Sequence, residues 1–468
     1  MNYVKINTKG GILPITELDK ILSLAENLKV THCSLGERQN IFLHTNTNKN
    51  TFLLYAASAD ISTEWNRSFF PNIVSSYVTL GLYSSHPWMS EGVYKDVLDS
   101  LPEAPSIKIN IADPTQGLIP LFTGDINIIP SEQQSYFYIY TKFNNQLRPL
   151  SILLYTNEIQ KIIEKAEELN KENKLSPESL EHYILQHGLI HIPAASPLYI
   201  PRIRFPYFEG MNAYSNGFWL GIYRRNNQFD IEVLTSIREL CKNTGITELH
   251  ITPWRTIIIK GIQEKNRIDW EKLLGKHELN TRHSALELNW YLHDHDKNAL
   301  KIKNQLYRFF DSHDVRTYGL YFGIQTPGKS FSPFASILIK QRRNILPFTS
   351  TTKAFYFFDI LYTKNFDPNS TEYIVHAYNV AWPQLTEKVN ELCSRYYKYL
   401  TEHNQLHAVQ SAQKENLPDQ ELTAVYECAE CLSLYEHTCK PENCTICGAP
   451  SDGFVMKNVS KKMFLHQA

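Results

Sequence analysis

The 468 residues are 43% hydrophobic and 20% charged, and 47 Lys and Arg against 48 Asp and Glu leave a formal charge of −1. That length and composition predict a globular chain of more than one domain and exclude a disordered one. The balanced charge argues against nucleic-acid and polybasic membrane-binding roles.

No secretory leader is visible in the opening MNYVKINTKGG, and no apolar run reaches the length of a bilayer span. The expected compartment is therefore the cytoplasm. In chain order, Leu18–Leu28 carries apolar residues at 18, 21, 22, 24, 25 and 28, the spacing of an amphipathic helix. Thr51–Ala57 (TFLLYAA), Ser106–Ile111, Asp125–Ile129 and Tyr136–Lys142 (YFYIYTK) are predicted strands, short apolar runs between turn signals. Residues 157–174 predict a helix charged on one side, and Ser176-Pro-Glu-Ser caps the start of another. This helical segment separates two halves, and residues 206–350 repeat the earlier mixture. Glu372–Leu400 reads as one long helix with a break near Pro383. Residues 404–423 are polar and weakly periodic, and read as a linker.

The two halves are related. Leu18, Ile21 and Leu24 align with Leu234, Ile237 and Leu240 at an offset of 216, and one added residue brings Arg38 onto Arg255. Each copy is an amphipathic helix, a strand, a tight turn with an arginine, and an apolar strand. Self-similarity at that distance predicts a duplication and a pseudo-two-fold molecule.

Of eight cysteines, Cys33, Cys241 and Cys393 are scattered, while Cys428, Cys431, Cys439, Cys444 and Cys447 cluster near the end. In a reducing compartment such a cluster reads as a metal site before a disulfide framework. Cys428-x-x-Cys431 and Cys444-x-x-Cys447 stand twelve residues apart. Two facing knuckles supply four thiolates in a tetrahedron, which suits iron or zinc. So small a module draws much of its folding energy from the metal. Tyr426, Tyr435 and Phe454 flank the knuckles, and Gly448-Ala-Pro follows the last cysteine. The segment resembles rubredoxin, most closely the rubredoxin-type domain that ends rubrerythrins, which has the same spacer. The resemblance implies one iron held by Cys428, Cys431, Cys444 and Cys447, cycling between Fe(III) and Fe(II) behind an aromatic shield. Leu432 and Thr445 depart from that family's usual Gly and Pro. A zinc ribbon with a structural metal is the alternative.

The body carries a second resemblance. KGGILPITELDKILSLAENLKVTHCSLGERQNIFLHT is similar to the first ferredoxin-like half of the nitrite and sulfite reductase family, with Gly36-Glu-Arg38-Gln39-Asn40 at its turn. ITELHITPWRTIIIKGI is similar to the second half, with Thr252-Pro-Trp-Arg255 closest to the cobalamin-pathway branch. LPEAPSIKINIADP followed by GDINII is similar to the first catalytic lobe. The fold this implies is α+β, with duplicated nitrite/sulfite reductase-like halves and a small C-terminal rubredoxin-like metal knuckle domain. Its expected boundaries are 1–55 (ferredoxin-like half 1), 56–150 (lobe 1), 151–205 (helical connector), 206–265 (ferredoxin-like half 2), 266–403 (lobe 2), 404–423 (linker) and 424–458 (rubredoxin-like).

In that family the halves enclose a sirohaem coupled to a 4Fe–4S cluster. A sirohaem carries eight carboxylates, so its pocket needs fixed cations. Arg38 and Lys108 stand where the family places them, with Arg255 and Arg282 as additions. The cluster's cysteine pairs are missing, because neither Thr281–Trp290 nor FGIQTPGKSFSPFASILIK contains a cysteine. The family's route to a 4Fe–4S cluster is therefore closed. What remains for the body is a tetrapyrrole or another small anionic ligand, with His283 a candidate haem ligand. Leu292-His-Asp-His-Asp-Lys297 reads as an exposed loop before a metal site. Together these features predict an iron-binding redox protein. It would transfer single electrons through the four-cysteine iron to a reductase-like body, and a second redox protein would be its partner. A non-catalytic binding or scaffold protein with a zinc staple is the alternative.

Overall fold

The computed structural model describes residues 2–66, 71–83, 87–142, 146–198, 200, 210–281, 288–329, 333–343 and 356–403. Of residues 143, 344, 355, 404–414, 423–428, 434–437 and 454–460 it describes the backbone alone. Two compact units divide the chain at Tyr396.

The first unit is built twice over. In the first copy a turn (Lys9–Gly11), a short strand (Ile12–Pro14), a helix (Ile15–Asn27) and two strands (His32–Leu35, Asn40–Thr45) follow one another. The second copy repeats them as Arg225–Asn227, Phe229–Asp230, Ile231–Thr244, Glu248–Ile251 and Thr256–Ile262. Gly10 and Gly11 have φ of 61° and 78°, and their counterparts Asn226 and Asn227 have 58° and 56°. Gly and Asn are the residues that enter this left-handed region at least cost, so one turn is written in two chemistries.

The short strands are exchanged between copies. Phe229 of the second copy lies opposite Cys33 of the first, and Leu13 of the first lies opposite Leu249 of the second. Each ferredoxin-like sheet therefore has five strands, one of them borrowed. The helices share one core, in which Leu18, Leu24 and Ile237 are fully buried. Each such side chain contributes about 1.5–3 kcal/mol by leaving water. Arg238 and Lys242 of the second helix reach Asp19 of the first at 2.7 and 2.8 Å.

Each copy leads into a mixed lobe. The first lobe sheet runs Ile73–Ser75, Ile109–Ile111, Ile126–Pro130, Tyr136–Phe143, Gln146–Tyr155 and His191–Pro193. The second runs Trp290–Leu292, Phe322–Gln325, Ile337–Asn344, Phe355–Thr363 and Tyr373–Ala381. In both, the first three strands are parallel and the rest antiparallel. Ile73–Ser75 falls on Trp290–Leu292 at an offset of 217. The duplicated α+β architecture is thus present at the level of strand order.

Three sequence expectations are corrected. Thr51–Ala57 is helical, within Lys49–Ala59, and Asn48 caps the helix by accepting from Thr51 N at 2.9 Å. Its apolar run has no strand alternation, and Phe52 and Ala56, four residues apart, form its buried face. Glu372–Leu400 divides into the strand Tyr373–Ala381, a 3-10 turn Trp382–Gln384 and the helix Leu385–Lys414. Pro383 precedes the helix, where its missing N–H would have no helical partner anyway. That helix also takes in residues 404–414, read from sequence as linker; 415–422 lie outside the described residues. The Ser176 cap is present, with Ser176 Oγ accepting from Ser179 N at 3.2 Å and Ser179 Oγ accepting from Ser176 N at 3.0 Å.

The second unit carries a three-stranded antiparallel sheet with Thr423–Cys428 in the middle, between Leu434–His437 and Phe454–Ser460. Tyr426 lies opposite Tyr435, and Cys428 opposite Phe454. Cys431, Cys439, Cys444 and Cys447 lie outside the described residues. Among the described residues no helix is long and apolar enough to cross a membrane.

Candidate functional site

The two arginine-bearing turns close in the same way. Gly36 N donates to Asn40 O at 2.7 Å and Gln39 N to Gly36 O at 3.1 Å, while Thr252 N donates to Thr256 O and Arg255 N to Thr252 O, both at 3.0 Å. Gln39 and Arg255 both sit at φ 58°. Arg255 is therefore the counterpart of Gln39, and Arg38 corresponds to Trp254. The added residue inferred from the sequence does not exist; two arginines one position apart had pulled the alignment out of register.

Gln39 Nε2 donates to Ser75 O at 3.1 Å and to Ile251 O at 2.9 Å. Arg255 Nη2 makes the related bond to Leu292 O at 2.5 Å and pairs with Asp294 Oδ1 at 3.0 Å. Asn227 relieves Arg255 of the other duty by bonding Leu35 N and O at 2.9 and 2.6 Å. Its counterpart is Gly11, where a Cβ would collide with Ile251 O, so Gln39 serves that carbonyl instead.

Arg38 is committed inward. Its Nη1 donates to Asn110 Oδ1 at 2.6 Å, and its Nη2 to Asn72 O at 2.6 Å and Ile109 O at 2.8 Å. Lys108 lies just before the strand Ile109–Ile111, and its charge acts on Glu37 and Lys142. Burial, then Asp294, pushes the Glu37 carboxyl up to about 7 against the opposing pull of Lys108, Arg255 and Arg38. Glu37 Oε2 is buried without a hydrogen-bond partner. The same burial brings the Lys142 ammonium down to about 8. Arg38, Lys108 and Arg255, named from the sequence, thus meet around Glu37 and Asp294. Arg282 and His283 lie outside the described residues.

Beside this cluster a cavity of about 320 Å³ opens between the first ferredoxin-like sheet and the second lobe. His32, Ser34 and His44 line it from the sheet, and His293, Asp294 and His295 from the loop after Trp290–Leu292. His44 Nε2 lies 2.8 Å from Ser34 Oγ. The His295 ring stacks on Tyr3, with centroids 4.3 Å apart, and meets Phe42 edge-on at 4.4 Å. Burial, then His295, His32 and Lys297, pushes His44 down to about 4, so its imidazole is neutral. The loop read as exposed is anchored: Asp294 is 4% exposed and accepts from Glu37 N. Among the described residues no three His, Cys, Asp or Glu are placed to hold a metal.

The related crevice in the other half is filled. There Glu248, His250 and Lys260 replace His32, Ser34 and His44, and Tyr77 replaces Asp294. The Tyr77 ring lies 5.1 Å from the Lys260 ammonium, and its hydroxyl donates to Glu91 and Glu248 at 3.3 Å. Sequence reasoning singled out His293 and His295 and missed the facing side of the wall, His32 and His44. The signal on that side was the alternation His32-x-Ser34, which places both on one face of a strand.

The described residues do not fit a sirohaem. Arg38 is consumed within the protein, Arg255 is paired with Asp294, and Asp294 and Asp296 would confront the carboxylates of the macrocycle. The volume is at the lower end of the range for drug-sized ligands, about 300–1,000 Å³. Cys33, Cys241 and Cys393 are buried apart, and burial pushes each thiol up to about 12, away from the thiolate that binds metal.

Comparison with known proteins agrees with this architecture. Residues 216–277 match the ferredoxin-like half domain of nitrite and sulfite reductases. No curated protein matches the chain. Among solved structures, the NirA protein of Mycobacterium tuberculosis superposes with a TM-score of 0.62 at 14% identity, over 83% of this chain and 80% of that one. The body is therefore nitrite/sulfite reductase-like in fold.

Proposed function

We propose that the chain is an iron-binding, one-electron redox protein whose reductase-like body has lost the cluster chemistry of its relatives in fold. The observation that supports it is the pair of CxxC knuckles set twelve residues apart, with Cys428 ending a strand in register with Phe454. Cys428, Cys431, Cys444 and Cys447 would hold the metal. Bound iron supplies electron exchange with no bond made to a substrate. The flanking Tyr426, Tyr435 and Phe454 would keep water from the sulfurs, which tunes the potential. The electron donor or acceptor is a second redox protein.

Iron-replete protein should be red, carry about one iron per chain, and bleach reversibly with dithionite. Cys444→Ser should abolish the colour. Colourless protein with stoichiometric zinc, produced with iron in excess, removes the proposal. A ligand-binding role without turnover, with zinc as a staple, is the second proposal. It is favoured by the internal commitment of Arg38 and Arg255.

A further inference from the structure

The two lobe sheets end differently. The strand Gln146–Tyr155 corresponds to Tyr373–Ala381 at an offset of 226. Pro149 lies opposite Tyr140 as Val375 lies opposite Leu361, and Leu154 opposite Phe137 as Val380 lies opposite Phe358. A 3-10 turn follows each strand, Thr156–Glu158 and Trp382–Gln384. In the first lobe the strand is covered along its outer edge. Arg148 pairs with Glu178 at 2.9 Å and Ser151 N donates to Glu181, which holds the helix Pro177–Gln186 against it. The strand His191–Pro193 then closes the sheet, with Ile152 opposite Pro193 and Ala194 N donating to Ser151 O at 3.0 Å.

The second lobe lacks both covers. Among the described residues the chain continues from the turn as the single helix Leu385–Lys414, and no strand lies beyond Tyr373–Ala381. Apolar side chains have replaced the tether: Ile374 stands where Arg148 does, and Tyr378 where Ile152 does. Ile374 is 44% exposed and Tyr378 63%, and Tyr356 and Trp382 are exposed beside the end of the strand. Open sheet edges are usually blunted by charge or proline, yet YIVHAYNVA holds no Asp, Glu, Lys, Arg or Pro. His376 Nε2 lies 3.1 Å from Glu391 of the helix that follows.

Such an edge offers a counter-charge to neither an acidic nor a basic partner. It suits an uncharged apolar strand, and its own copy is one. A two-fold axis sets the strand antiparallel to itself with no like charges opposed.

We propose that Tyr373–Ala381 is the contact of a two-fold dimer of this chain, in which the edge strands pair and two five-stranded sheets become one. Each copy covers Ile374 and Tyr378 of the other, as helix and strand cover the first lobe. Asn379, at φ 50°, bends the end of the strand, so pairing runs through Tyr373–Tyr378. That stretch is about 20 Å long. It makes a small interface, so the dimer dissociates in the micromolar range.

Sedimentation velocity of the full chain in reducing buffer, between about 1 and 100 µM, tests the assignment. The mass should rise with concentration from 54.3 kDa toward twice that value. Ile374→Lys/Tyr378→Lys should stay monomeric throughout, with an unchanged melting temperature at the lowest concentration, because both side chains are exposed. Ile374→Glu/Tyr378→Glu should behave alike. An equimolar mixture of the two variants should associate again, at least about tenfold more tightly than either alone. A parent chain that is monomeric at the highest concentration, a dimer that survives in the Lys variant, or a mixture that stays monomeric would each overturn the proposal.

Discussion

Arg38→Met is the substitution that separates a structural arginine from a ligand-binding one. The side chain is 1% exposed, and its fork serves Asn110 Oδ1, Asn72 O and Ile109 O within 2.6–2.8 Å. Asn72 and Asn110 are themselves fully buried, so water does not readily replace the lost donors. Asn72 O keeps a donor in Ile109 N at 3.3 Å; a buried acceptor left without one costs about 1–3 kcal/mol, so the other two losses sum to about 2–6 kcal/mol. Relief of the guanidinium's own desolvation offsets part of this. The net expectation is a loss of about 2 kcal/mol or more, a large fraction of the 5–15 kcal/mol that holds a typical domain together. Urea unfolding followed by tryptophan fluorescence reads it as a lower midpoint. Arg38→Lys, which keeps the charge and loses the planar fork, should recover less than half of the loss. A parent-like midpoint in Arg38→Met would refute the clamp and return Arg38 to the role of a ligand cation.

Gly11→Ala should destabilise by about 2 kcal/mol or more, because φ is 78° and the new Cβ would collide with Ile251 O. Gly81→Ala, at the same φ with open space, should cost about 1 kcal/mol in the same urea assay. Burial, then Lys260, pushes His250 down to about 4, so the folded protein binds fewer protons than the unfolded chain between pH 6.5 and 4. Stability should fall across that window as pH falls, by up to about 3 kcal/mol, and His250→Gln should flatten the slope. Glu37 has the opposite sign, since a folded carboxyl raised from 4.5 to about 7 loses its contribution as pH rises through that interval. Glu37→Gln should therefore stabilise the protein at pH 8 and change little at pH 4.5, measured by thermal melts at the two values.

The duplication was legible because Leu18, Ile21 and Leu24 and their partners 216 residues on lie on apolar stripes that a helix must bury. The register of the turn was not. Backbone conformation, φ 58° at both Gln39 and Arg255, decides it, and residue identity alone favours the false match of two arginines. TFLLYAA was misread because a continuous apolar run carries no period, and the deciding cap, Asn48, lies outside it. Tyr373–Ala381 was lost for a related reason: the helix that follows it extends its apolar spacing backwards over the strand. The cations Arg38, Lys108 and Arg255 were found as a group, but the bonds of Arg38 and Arg255 depend on partners 34 to 72 residues away. No local pattern contains those partners. The histidine wall escaped for the same reason, being assembled from both copies.

Strand exchange between the copies binds their fates together. A nascent first half emerges with Glu248–Ile251 not yet made, so Ile12–Pro14 has nothing to pair with and His32–Leu35 presents a bare sheet edge. The first copy cannot complete its sheet until Phe229–Asp230, almost two hundred residues beyond His32–Leu35, has left the ribosome. Separately expressed halves should accordingly be insoluble alone and recover on mixing, and an ancestor with one copy would have closed the same sheets by pairing with its twin.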